Sequence, residues 1–313
     1  MKPLDGAHRL GRFILAATAC AVVAPGARAD EDVLTAVYSQ VSDDYVRAKL
    51  PDGSFQPETY TFGEGGHLAG PMRDDSVDTL SFMELAKVIA APLADMEYIP
   101  ADGRDPNETK MLIMVYWGKT SGTENSSGST TYENLQSSQP GTPPPPVVPA
   151  GNSHVAPGGA KTNAAAAAAR QNAYTGAMAA AAAENNLRDQ IDGQNAALLG
   201  YDGELAATAG QEMTAFRLRR ADLIGEIEEN RYLVVLMAYD FQELWKHKKH
   251  KLLWVTRMSV RERGTDFTKV LPAMVRYGSQ FFGRDSQGLV RKTLPVGRVD
   301  VGEVKSLGVV PEK

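Results

Sequence analysis

The stretch FGEGGHLAG, Phe62–Gly70, places His67 directly after Gly65 and Gly66, and Arg73, Asp74 and Asp75 follow within a few residues. Glycines let backbone amides approach a phosphate or shape an oxyanion hole. A histidine beside carboxylates and an arginine offers acid–base chemistry and charge for a small ligand. Gly65, Gly66, His67, Arg73, Asp74 and Asp75 are therefore the candidate ligand-binding residues. The segment lacks the Lys-Ser/Thr ending of a P-loop, and its composition reads as a surface loop.

Three other constellations carry less. Asp74-Asp75-x-x-Asp78 resembles the aspartate-rich magnesium motif of isoprenoid synthases. The chain has neither their helical bundle nor a second acidic motif, so the acids read as a lead-in to a helix that begins near Ser81. In DFQELWKHKKHKLLW, Asp240–Trp254, the residues Glu243, His247 and His250 are spaced to share a helix face, yet Lys246, Lys248, Lys249 and Lys251 would repel a cation. That segment reads as a short helix, with Asp240 and Glu243 spaced as a capping box, ending in a solvated basic turn. Nucleophilic catalysis has no foothold: the only cysteine is Cys20, no Gly-x-Ser-x-Gly occurs, and beyond the first thirty residues the histidines are His67, His154, His247 and His250. No metal set and no cofactor motif is present in the pattern, and an enzyme is the less favoured reading. Paired glycosidase carboxylates leave no spacing to recognise.

The N-terminus has the form of an export signal. Lys2, Arg9 and Arg12 precede an apolar run from Phe13 to Ala24, and Ala27-Arg28-Ala29 predicts cleavage between Ala29 and Asp30. The run is shorter than the roughly 20 residues a bilayer span needs. The alternative is a lipoprotein signal with Cys20 lipidated, which would attach the chain peripherally to a membrane. The expected location is periplasmic or extracellular, with no transmembrane segment and no nucleic-acid partner. Residues 30–119 carry a net charge of −10 and residues 211–313 one of +6, which suits two halves of one domain packing together.

The elements that must position these residues fall into two groups. Ser81 and Glu84 form a capping box, followed by Phe82, Leu85, Ile89, Leu93 and Met96 at helical spacing, with Pro92 expected to kink or end the helix. KMLIMVYWG, Lys110–Gly118, and YLVVLMAY, Tyr232–Tyr239, read as buried strands. Leu252–Val260 alternates, with Trp254, Thr256, Met258 and Val260 toward the core and one wet face. Thr214–Asn230 and the segment from Phe267 to Phe281 read as amphipathic helices. Between the halves lie a Ser/Gly/Pro-rich linker, 120–162, and an Ala-rich helical insertion, 163–210. The resulting division is a signal peptide at 1–29, half-domains at 30–119 and 211–285 flanking that interruption, and an irregular tail at 286–313. The fold class is α+β: a mixed β-sheet with helices packed on one side, interrupted by the long insertion.

The order helix, KMLIMVYWG, helix, YLVVLMAYD, KLLWVTRMSV is similar to the small α+β domain of curli-secretion-type lipoproteins and of the TolB N-terminal domain. The likeness covers residues 80–118 and 211–283 and carries over no functional residue. It implies a mixed sheet in an envelope assembly or binding role. Together these readings give an exported, non-enzymatic protein that binds another cell-envelope component. The alternative is a small-molecule binder or hydrolase built around His67.

Overall fold

The computed structural model describes residues 32–70, 72–101, 103, 105–123 and 159–295. The expected signal segment with Cys20 and the Ala29–Asp30 junction, most of the linker, and the residues after Pro295 lie outside them.

One mixed sheet of seven strands organises the molecule: β1 (Asp32–Val41), β2 (Glu58–Leu68), β3 (Tyr98–Pro100), β4 (Met111–Lys119), β5 (Arg231–Asp240), β6 (Leu252–Arg261) and β7 (Val290–Pro295), in the order β3-β2-β4-β5-β6-β1-β7. Strand β2 runs parallel to β3 and β4, and every other pairing is antiparallel. The continuous apolar runs became the central pair β4–β5, in register from Met111 opposite Asp240 to Lys119 opposite Tyr232. Both faces of a central strand are covered, which is why these segments do not alternate with polar residues. Strand β1, from the N-terminal half, lies between β6 and β7 of the C-terminal half.

The helices are α1 (Asp75–Asp78), α2 (Phe82–Asp95), α3 (Gly159–Leu199), α4 (Asp202–Thr208), α5 (Thr214–Glu228), α6 (Phe241–His247) and α7 (Phe267–Gly278). Helix α2 has the expected capping box: Ser81 Oγ accepts from the Glu84 amide at 3.3 Å and Glu84 Oε2 accepts from the Ser81 amide at 3.0 Å. The helix continues through Pro92 to Asp95, because Leu85, Ile89, Pro92 and Leu93 are all buried on one stripe. That burial outweighs the lost hydrogen bond, since each such side chain contributes about 1.5–3 kcal/mol. Among the described residues no helix is long and apolar enough to cross a membrane.

The α+β class holds, but helices cover both faces of the sheet. On one face Val37, Tyr60, Ile113, Leu236, Trp254 and Met258 pack with α2 and α7. On the other, Ala36, Leu233, Val235 and Val255 pack with Ala196 and Leu199 of α3, Tyr201, and Leu223 and Ile227 of α5. The expected wet face of β6 is therefore closed, with Val255 and Ser259 buried. The sequence pattern hid this second layer, because its contributors are few and spread through segments rich in alanine and charge. Trp254, Thr256, Met258 and Val260 share the first face, as their alternation predicted, and all are buried.

Two further segments differ from expectation. The glycine-rich stretch is part of strand β2 and not a loop. The tail, expected to be irregular from residue 286, contains strand β7: Val290 and Leu294 pack on the first core, and the Ser286 side chain donates to the Ser39 carbonyl at 3.0 Å. Short strands bounded by glycine or proline and carrying Arg291 and Lys292 lack the apolar run that marked β4 and β5.

Candidate functional site: a free strand edge and a polar cluster

Strand β2 is flanked by β3 only from Glu58 to Tyr60. The Tyr60 carbonyl accepts from the Ala101 amide at 2.7 Å on that side. Strand alternation turns the backbone groups of Phe62 and Glu64 the same way. Among the described residues nothing pairs with them, so β2 presents an open hydrogen-bonding edge from Thr61 onward. Natural sheets normally cover, shorten or charge such an edge, because another strand can add to it.

The glycines shape this edge. The register shifts between Glu64 and Gly66, a bulge at which Gly66 adopts φ +146°. At Gly65 the ring of Tyr116 lies where a side chain would stand, with ring carbons 2.6 Å from the position of a Cβ. The residues that resembled a phosphate loop thus serve backbone geometry within a strand.

Beside the edge runs a groove of about 320 Å³ between β2 and α2, lined chiefly by Tyr60, Phe62, Met83, Ala86, Lys87 and Ala90. Its rim is apolar, and Met83 is 61% exposed. Over residues 58–97 there are eight Asp or Glu against two Lys or Arg, so the surroundings are acidic.

At the C-terminal end of β2 and β4 lies a polar cluster that splits the sequence candidates. His67 Nε2 stands 3.3 Å from Asp78 Oδ1, and its ring lies 5.6 Å from that of Trp117. Arg73 and Asp75 pair with each other at 2.8 Å on the open surface, apart from His67. Asp74 caps α1 by accepting from the Ser76 amide at 3.0 Å, and it also accepts from the Tyr232 hydroxyl. Lys119, its side chain 2% exposed, lies 2.9 Å from Glu262 and 3.8 Å from Asp74. Burial opposes ionisation of Asp74, but hydrogen bonds from Tyr232 and Ser76, with the Lys119 charge, hold its pKa below the usual carboxylate range. Burial first, and then the bond to Asp74, raise the pKa of Tyr232.

Asp74, Asp75 and Asp78 therefore face three different partners and do not converge as metal ligands. Glu243 pairs with His247 at 3.2 Å, while His250 packs against the ring of Tyr239. Among the described residues no cluster of three or more His, Cys, Asp or Glu is placed to hold a metal ion. Sequence reasoning missed Lys119, Tyr232 and Glu262. Lys119 ends an apolar strand, which hints at a buried charge, but Glu262 is brought to it only by the sheet order.

A larger hollow of about 600 Å³ lies between α3 and α5. Arg188 there pairs with Asp192 and Glu228, and Arg220 donates to the Leu205 carbonyl of α4, so its charges knit α3, α4 and α5 together.

No protein-family model, no curated protein and no solved structure matches the chain.

Proposed function

We propose that this is an exported, non-enzymatic protein that binds another cell-envelope protein by adding an extended segment of it to the edge of β2. The open backbone edge beside the β2–α2 groove carries this reading. Strand addition takes affinity from main-chain hydrogen bonds and specificity from pockets for alternate side chains. Phe62 and Glu64 offer the backbone groups, and Met83, Ala86 and Ala90 offer the apolar wall. The acidic surroundings select a segment with apolar residues at alternate positions and basic residues flanking them. The envelope setting rests on the signal-like N-terminus and on the resemblance to envelope α+β domains.

The alternative, a small-molecule binder or hydrolase at His67, has the His67–Asp78 pair in its favour. Against it, Asp74 and Lys119 are already committed to Tyr232 and Glu262. Selection of short random peptides on the immobilised protein separates the two. Enriched sequences should alternate apolar residues between basic flanks, and should slow hydrogen exchange at the Phe62 and Glu64 amides. Phe62→Pro, which removes a donor at an edge, should abolish binding while leaving the melt cooperative. Peptides that protect other amides, or that bind Phe62→Pro equally well, would sink the proposal.

A further inference from the structure

The basic turn that followed β5 in the sequence has a surface of its own, at the opposite end of the sheet from His67. Asp240 caps α6 by accepting from the Gln242 and Glu243 amides at 3.0 and 3.1 Å. Glu243 does not close a reciprocal capping box and pairs with His247 instead. Gln242 Nε2 donates to the carbonyls of Pro106 and Thr109 at 2.8 and 2.7 Å, which ties the helix to the loop before β4. Lys248 then takes a left-handed conformation, φ 58°, and reverses the chain into β6. The turn is therefore held rigidly, with Trp245 through His250 all exposed.

Two independent features meet there. Trp245 is 42% exposed and stacks on Phe241, ring centroids 6.5 Å apart, so an indole backed by a second ring faces outward. Around it stand Lys246, Lys248, Lys249 and Lys251. The last three have no carboxylate partner among the described residues, and Lys246 has only the nearby Asp105. Lys246 Nζ lies 5.8 Å from the centre of the Trp245 ring and Lys248 Nζ donates to the Trp245 carbonyl at 3.1 Å, so the lysines gather round the exposed indole without a carboxylate to offset most of their charge.

We infer that the turn from Phe241 to Lys251 docks the protein on an anionic lipid surface, with Trp245 in the headgroup layer and the lysines among the lipid charges. Indoles favour the membrane–water interface, and lysines near an anionic leaflet each strengthen attachment. Lysine is a compact point charge on a flexible stem, suited to a diffuse layer of headgroups. Nucleic-acid recognition favours the bidentate arginine fork, and this turn contains no arginine. The inference concerns a different surface from the β2 edge and does not depend on it.

The test is co-sedimentation of the full chain with vesicles of phosphatidylglycerol and phosphatidylcholine, against pure phosphatidylcholine vesicles and a duplex DNA control. Binding should require phosphatidylglycerol and weaken with salt. Trp117 and Trp254 are buried, so a blue shift of tryptophan emission on binding would report Trp245. Replacing both Lys248 and Lys249 by Ser should weaken vesicle binding about 30-fold, at about fivefold per lysine. Trp245→Ala should remove the blue shift and most of the binding. The lysine variant should keep the parent melting temperature, Trp245→Ala should keep a cooperative melt though it loses the contact with Phe241, and both should keep peptide selectivity at β2. The inference fails if the parent ignores phosphatidylglycerol or binds pure phosphatidylcholine equally. It also fails if DNA binds and vesicles do not, or if the variants bind vesicles as the parent does.

Discussion

Asp74 shows how one carboxylate becomes structural. It caps α1, accepts from Tyr232 across the first core, and faces the Lys119–Glu262 pair. Its folded pKa is depressed below the unfolded value. The stability it contributes is therefore present above the ordinary carboxylate pKa, near 4, and is lost as pH falls through the lower folded value. Tyr232→Phe removes one of the bonds that depress it, and Ser76 and Lys119 remain. The expected result is a loss of about 1.5–3 kcal/mol near neutral pH, for a hydrogen bond to a charged group. The acid-unfolding midpoint should move upward in pH. Urea melts across pH 2 to 7 would check this; an unchanged acid midpoint would mean that Asp74 owes little to Tyr232.

Among elements, α3 divides into two parts with different physics. Its 41 residues span about 60 Å. Alanine holds the helix together through propensity, because so small a side chain loses no rotamer freedom. Among its described side chains none before Asn195 is buried, and from there Asn195, Ala196 and Leu199 enter the second core. Asn195 Nδ2 donates to the carbonyls of Ser121 and Ile227 at 2.9 and 3.2 Å, which fixes the end of the helix to both flanking segments. Removing residues 124–187 and rejoining the ends with a short Gly/Ser linker should therefore leave a cooperative melt, since loop closure changes by only about 0.6 kcal/mol per doubling of length. Leu199→Ala should cost about 2–5 kcal/mol, because it opens a cavity beneath β6. Thermal melts of both variants would show whether the two parts of α3 behave so differently.

On the scale of the whole molecule, the two halves are interleaved. Strand β1 pairs with β6 through Thr35–Val260 and with β7 through Val33–Leu294. The first core draws on both halves, with α2 from one and α7 from the other. Neither half can bury its apolar face without its counterpart, and each carries an excess of charge that the opposite half offsets. Fragments 31–119 and 159–295 expressed separately should each lack a cooperative transition and dispersed amide resonances, whereas mixing them should restore both. A cooperative melt from either fragment alone would contradict this.

The sequence by itself determined the elements whose local pattern and tertiary role agree. Ser81–Glu84 named a helix start because a capping box is satisfied within four residues. Lys110–Gly118 and Tyr232–Tyr239 named buried strands because both their faces are apolar, and the strands lie within one residue of those bounds. Leu252–Val260 alternated, so the side of Trp254 was readable. The short helix α6 was legible from Asp240 and the spacing of Phe241, Leu244 and Trp245. The tertiary structure alone decided the rest, since each remaining feature joins residues distant in the chain. Gly65 and Gly66 lie in a strand because β4 lies beside them and Tyr116 covers them. His67 meets Asp78 and leaves Arg73 because α1 turns back toward the end of β2. Lys119 has Glu262 as partner through the order β4-β5-β6. The open edge of β2 exists because β3 ends after three residues, and a strand's lack of a neighbour is a property of the sheet that no local pattern encodes.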